Sequence, residues 1–447
     1  MKKKVDFLIR YEHKVRELES IMLIKCELER RGYSVDFIGN YDYKSSIEYQ
    51  PKVLISPAIY NDTNLIGDFQ KYGPIKKIAN LLWEQVVGFE EEEDINGPHN
   101  VFGIGQRAVT FCWGRQTQDR LVKAGVPFKN APIVGMLNTD YLRGSLKSTL
   151  LSKEVLAKKY KLDKSKKWFF FISSFAYCEL DAVQSNLIAR DYGQTYLDDM
   201  TNISVKSRNM ILDWFKKALQ LHPEIIIIYR PHPDEAKKST ILHEMELQYP
   251  NFRVISDEAL KHWIVSSDKI YNWYSTGIID SFILNKPFSL LRPIKLSEKY
   301  DYRYYYYDCK YISDEHKFLN SYLNLDIDMP INESLFNYYY YIPNKYVYLS
   351  VCDILEKMLV STEYDIHYSW KERFKIYALY TRPYITKMLK PILYPVLLKL
   401  GLLSKKHEQN KIFSSVLKAG FEKNVATQKD IKEISERITP LINGVKV

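Results

Sequence analysis

Residues 225–235 read Ile225-Ile226-Ile227-Ile228-Tyr229-Arg230-Pro231-His232-Pro233-Asp234-Glu235. Four consecutive β-branched residues suit a strand buried on both faces of a parallel sheet. Pro231 and Pro233 lack the N–H that a ladder requires, so the chain must turn there. His232 then falls just beyond the carboxyl end of a strand, where open α/β sheets bind ligands.

Downstream the pattern repeats. Asp268–Asn272 reads as a short strand, and Ser275-Thr276-Gly277 leads into an apolar helix over Ile278–Leu284. Asn285-Lys286-Pro287 ends that helix, and Phe288–Leu291 is the next strand. Two hydroxyls and free backbone N–H groups at a helix start suit a phosphate, and they equally suit a plain N-cap. Upstream, a strand over Trp168–Ile172 ends in the paired hydroxyls of Ser173 and Ser174, and a helix over Met210–Gln220 precedes the isoleucine strand. His222-Pro223 reads as the turn at that helix's end.

The first third of the chain has the same grammar without a dinucleotide fingerprint. Strands over Val5–Ile9 and Val35–Gly39 flank a helix over Glu17–Arg31, but no Gly-x-Gly-x-x-Gly opens it. The loop Arg10–Arg16 carries Glu12, His13, Lys14 and Arg16. Further strands are expected over Lys52–Pro57, Ile78–Gln85 and Ala108–Gly114. Glu12, Glu17 and Glu84 therefore fall near strand ends, as a catalytic carboxylate should, whether base or nucleophile. The alternative for the first loop is a solvated turn whose acidic helix start the dipole favours. The acidic run Glu90–Asp94 reads as an exposed loop.

At 447 residues the chain exceeds one ordinary core, and 46% hydrophobic with 26% charged residues is a globular composition. Five dispersed cysteines give neither a disulfide framework nor zinc-ligand spacing. No apolar run reaches the length of a membrane span, and no signal-peptide core follows the first lysines. The formal charge of +10 calls for an anionic partner. No Cys/His finger, RNP signature or basic reading helix points to nucleic acid. The segments Trp370–Tyr377 and Met388–Leu403 mix basic, aromatic and aliphatic residues, interrupted nearby by Pro383, Pro391 and Pro395. Such segments suit the plane of an anionic membrane interface. The alternative is a helical subdomain docked on the protein itself.

Arg230-Pro231-His232-Pro233, followed by Tyr274-Ser275-Thr276-Gly277 and a helix ending in Asn285-Lys286-Pro287, resembles the C-terminal half of GT-B glycosyltransferases. The most similar groups use CMP-activated sugars: bacterial sialyltransferases, polysialyltransferases and capsule-type Kdo transferases. The resemblance covers residues 165–295 well and the N-terminal half loosely. It implies an α/β chain with two Rossmann-like domains facing a cleft. The boundaries expected are 1–145 for an acceptor domain, 146–165 for a linker, 166–360 for a donor domain, and 361–447 for a basic helical tail. His232, Pro233, Ser275 and Thr276 would hold the nucleotide, and Ser173 and Ser174 match a loop that lies near the donor phosphate or the acceptor. Arg230, at a strand end, is expected either to assist at the phosphate or to pair with a neighbouring carboxylate. No cofactor or metal is implied, only a nucleotide-sugar co-substrate and a glycan or glycolipid acceptor. The expected location is the inner face of a bacterial plasma membrane. The same signals look similar in the teichoic-acid polyol-phosphate transferases, which use CDP-glycerol or CDP-ribitol. That family has an N-domain His base, and His13 is the match here. A nonhydrolysing sugar-nucleotide epimerase shares the expected fold. A nucleic-acid-binding or scaffold protein is the reading of a different class.

Overall fold

Alternating strands and helices produce parallel sheets, because each crossover lays a helix on a sheet face. The computed structural model describes residues 2–40, 42, 48–232, 235, 239–303, 310–321, 333–382 and 424–444. It holds two all-parallel sheets in two units, one comprising Met1–Gln85, Ile95–Asp140 and Tyr338–Val447, the other Val86–Asp94 and Tyr141–Asn337.

In the first unit, β1 (Lys3–Tyr11), β2 (Val35–Gly39), β3 (Tyr49–Ser56), β4 (Lys77–Asn80) and β5 (Val109–Thr110) run in the order β2-β1-β3-β4-β5. Phe7 on β1 pairs with Val35 on one side and Val53 on the other, and Phe7, Leu8 and Ile9 are fully buried. Strand order reverses between β1 and β3, which opens a crevice at their carboxyl ends. Helix α1 (Lys14–Arg30) covers one face through Leu18, Ile21, Ile24 and Leu28.

In the second unit, β6 (Lys167–Ile172), β7 (Ile225–Arg230), β8 (Phe252–Val254), β9 (Lys269–Asn272), β10 (Phe288–Leu291) and β11 (Tyr311–Ile312) are ordered β11-β10-β9-β6-β7-β8. Ile225–Ile228 are all buried, as their unbroken apolar run requires. Here the order reverses between β6 and β9, paired from Phe169–Lys269 to Ile172–Asn272. The 28-residue helix Gln194–Leu221 seals one face with Ile211, Leu212, Trp214 and Phe215, and it starts well before the expected Met210. His222 is its C-cap, as expected.

Several expectations need correcting. The loop after β1 is only Glu12 and His13, because the strand runs to Tyr11 and α1 begins at Lys14. The strand expected over Ile78–Gln85 stops at Asn80, whose side chain binds both Ile59 and the Leu82 N–H and turns Leu82 to a φ of 46°. The acidic run is not a free loop. Phe89–Glu93 is a short helix in the second unit, and Arg303 pairs with Glu92 at 3.2 Å and Glu93 at 3.0 Å. The Lys-rich stretch 146–165, expected as a helix with a linker, does hold the helix Lys153–Tyr160, which buries Leu156 and pairs Lys153 with Asp268 at 3.0 Å. The helix Val347–Val360, which falls inside the range expected for the donor domain, packs on α1, β3 and β4 of the first unit. It is fixed there by the buried Asp140, which accepts from Val347 N and Tyr348 N.

Within the expected tail, the helix Gln428–Gly444 packs on α1, burying Ile438 and Ile442 and pairing Arg437 with Glu19. That part is docked on the protein itself. Residues 370–382 form a second helix, whereas Met388–Leu403 lies outside the described residues. Among the described residues, no helix is long and apolar enough to cross a membrane.

Candidate functional site

Each sheet carries sequence-selected residues at the carboxyl ends of the strands at or next to its own reversal point. In the second unit the floor is built by β6, β7 and β9. Ser173 and Ser174 leave β6 abruptly, with Ser174 at a φ of 57°, a conformation that costs a non-glycine residue on the order of 1 kcal/mol or more. His232 follows the Pro231 turn, and its backbone N–H donates to Ser173 Oγ at 3.1 Å. The structure thus joins two of the expected residues directly.

Glu235, which the sequence reading passed over, is the third member. It is fully buried, and its carboxylate accepts from Ser173 Oγ at 2.6 Å, Tyr229 OH at 2.7 Å and His232 N at 3.3 Å. Burial pushes its carboxyl above the usual range, and the two hydroxyls and Arg208 partly offset that push. Ser173, equally buried, spends its hydroxyl hydrogen on Glu235, so that hydrogen is not directed at a ligand. Nothing local in the sequence marks this arrangement, because Ser173 and Glu235 meet only through β6–β7 pairing.

On the other side of the reversal, Ser275 and Thr276 are half-buried three and four residues beyond Asn272, which pairs with Ile172. Asn272 Nδ2 holds the Ser275 carbonyl at 2.9 Å, and Ser275 Oγ accepts from Gly277 N at 3.1 Å. The following helix is only Ile278–Ile283. Arg230 reaches toward β8, donating to the Asp257 carbonyl at 2.6 Å, and burial draws its pKa down to about 10. Pro233 lies outside the described residues.

The first unit holds a cavity of about 400 Å³ at its own reversal point. Glu12 and His13 enter it from the β1–α1 turn, Arg16 from the first turn of α1, Ser56 and Tyr60 from the end of β3 and just beyond it, and Trp83 and Glu84 from beyond β4. Arg16 organises the carboxylates, donating to Glu17 at 2.8 Å and to Glu84 at 2.6 Å. Burial raises the carboxyl of Glu12, opposed by Arg16 and reinforced by Glu84. Burial also disfavours charge on Glu84, but the Arg16 charge and hydrogen bond outweigh it and hold Glu84 below its usual range. Carboxyl groups driven apart in this way can divide acid and base roles.

Glu17 does not line the cavity. It is fully buried, accepting from Glu12 N at 2.8 Å and from Arg16, and thereby holds the turn that presents Glu12. The adjacent Gln85 is likewise structural, bonded to Leu82 O, Phe111 O and Trp113 N. Among the described residues, no group of three or more His, Cys, Asp or Glu side chains is placed to hold a metal ion.

No protein-family model and no curated protein sequence matches the chain. Solved structures do. The wall teichoic acid polymerase TagF is similar over 80% of this chain and 90% of its own, at 12% identity and a TM-score of 0.53. A TagF variant soaked with CDPG matches over 80% and 89%, again at 12% identity and 0.53. A UDP-GlcNAc 2-epimerase from Methanocaldococcus jannaschii, in complex with UDP-GlcNAc and UDP, covers 79% of this chain and 99% of its own. At 14% identity and a TM-score of 0.45 it is too distant to argue from. The TagF likeness supports the fold, two doubly wound parallel-sheet units of the GT-B kind.

Proposed function

We propose that this protein is a GT-B transferase that moves a glycosyl group from a CMP-activated donor to a growing bacterial surface glycan. Kdo or another nonulosonic acid is the group proposed. One observation carries the reading: His232 and the Ser275-Thr276 pair both occupy carboxyl-terminal strand ends around the second unit's reversal point. That is where doubly wound sheets bind nucleotides. In this reading the His232 imidazole and the Ser275 and Thr276 hydroxyls stabilise the leaving phosphate. Glu12, with its raised carboxyl, takes the proton of the acceptor hydroxyl as its oxygen attacks the anomeric carbon. The bond from that carbon to the phosphate oxygen breaks, and CMP departs with the electron pair. Glu84 is the second candidate for the base.

A second reading is favoured by His13, which lines the first unit's cavity. There the imidazole deprotonates the acceptor hydroxyl, which attacks the β-phosphorus of CDP-glycerol or CDP-ribitol, and CMP again leaves. Membrane association belongs to the same proposal. Trp370, Phe374 and Tyr377 project from one face of the helix 370–382, at 75%, 73% and 54% exposure, among Lys371, Arg373 and Lys375.

The test is donor hydrolysis, in which water takes the place of the acceptor hydroxyl and receives the transferred group. The purified protein should release CMP from CMP-Kdo or a CMP-nonulosonate, and His232→Ala should lose at least about tenfold of that rate. Release from CDP-glycerol alone, abolished by His13→Ala, would select the second reading. Release from neither would refute both.

A further inference from the structure

A buried carboxylate costs several kcal/mol unless its charge and lone pairs are satisfied. Glu235 incurs that cost in a turn whose position an apolar residue would fill more cheaply. Its surroundings show what the carboxylate provides. Oε2 holds Ser173 at the end of β6 and the His232 N–H beyond β7, while Oε1 holds Tyr229 within β7. Arg208, from the covering helix, lies 3.8 Å from Oε1 and is itself held by Glu179 at 2.7 Å. Among the described residues the last β6–β7 ladder bond runs from Ser173 N to Arg230 O, so at His232 that ladder no longer fixes the chain. The Glu235 carboxylate replaces that ladder.

We infer that Glu235 is the positioning residue for His232: a buried carboxylate that, directly and through the Ser173 hydroxyl, clamps the histidine's backbone over the ends of β6 and β7. This deepens the proposed nucleotide site and rests on it for its consequence, though not for its geometry. The assignment also changes the role of Ser173, whose hydroxyl becomes a relay between Glu235 and the His232 N–H instead of a ligand group.

The experiment is a double-mutant cycle on CMP binding, read by calorimetry, beside hydrogen exchange at the His232 amide. Glu235→Ala should weaken CMP binding about tenfold or more, and the effect should vanish in a His232→Ala background, because residues acting through one contact are non-additive. Glu235→Gln should fall between, since its amide oxygen still accepts from one hydroxyl. In the unliganded protein, Glu235→Ala and Ser173→Ala should each speed exchange at the His232 amide while core amides stay protected. Loss of affinity that persists undiminished in the His232→Ala background would overturn the assignment, as would an unchanged exchange rate. If the parent binds no CMP yet His232 exchange still accelerates in Glu235→Ala, the clamp stands and the nucleotide reading falls.

Discussion

Glu12 and Glu84 line one cavity, yet burial and Arg16 drive them in opposite directions. A base must be ionised to act, so a raised Glu12 carboxyl moves the acid limb of the pH–rate profile upward. Turnover should climb with pH through a value above the ordinary Glu range of about 4.3. Glu12→Gln should cost about a hundredfold or more in turnover and remove that limb. An unchanged profile in the variant would exclude Glu12 as the base. A second residue-scale prediction concerns Asp280, buried with Oδ1 accepting no hydrogen bond among the described residues and pushed up to about 7 by burial against a weaker pull from Lys261. Between its unfolded value of about 3.9 and 7, the folded state alone holds the proton, so stability falls as pH rises. Melting at pH 5 and pH 8 should show a drop on the order of a few kcal/mol in the parent that Asp280→Asn lacks. At this scale the sequence was half legible. His232 could be selected because a proline turn after an apolar run announces a strand end. Glu235 could not, because its role depends on a partner 62 residues away.

Elements were more legible than residues, for a physical reason. Runs such as Ile225–Ile228 and Phe169–Phe171 can be stable only where both sheet faces are covered, so they announce buried parallel strands. Ends were harder: β4 stops early because the Asn80 side chain competes with the ladder, a tertiary effect that no local propensity contains. Partners were hardest. The apolar spacing of Val347–Val360 reveals a face to be buried, but not that α1 and the first sheet bury it. The helix 370–382 shows the converse, an aromatic face left open while Ile376 and the Arg107–Glu372 ion pair secure its other side. Replacing Trp370 and Phe374 with Ala should lower binding to anionic vesicles at least severalfold, with little change toward zwitterionic ones. The melting temperature should hold, because exposed side chains contribute little to stability. Undiminished vesicle binding together with a lowered melting temperature would show that the face packs against this chain instead.

At the scale of the whole molecule, the two-sheet plan followed from strands and helices alternating twice, and the reversal points followed from neither motif nor composition. Strand order is set by which crossovers pair, and short strands such as Val109–Thr110 leave little trace in a sequence. The order nevertheless carries the functional argument, since it sets His232 beyond β7 and Ser275-Thr276 beyond β9, on either side of β6 and the crevice that its reversal opens, and Glu12 and Glu84 at the crevice of the first unit. The central claim is that the second crevice binds a cytidine nucleotide through His232. Calorimetric titration of the purified chain with CMP, CDP, UDP and GDP tests it most directly. The account predicts that CMP or CDP binds at least about tenfold tighter than UDP and GDP, and that His232→Ala loses about 1.5–3 kcal/mol of that affinity, the worth of a hydrogen bond to a charged group. Equal binding of all four nucleotides, or binding that His232→Ala leaves intact, would contradict it.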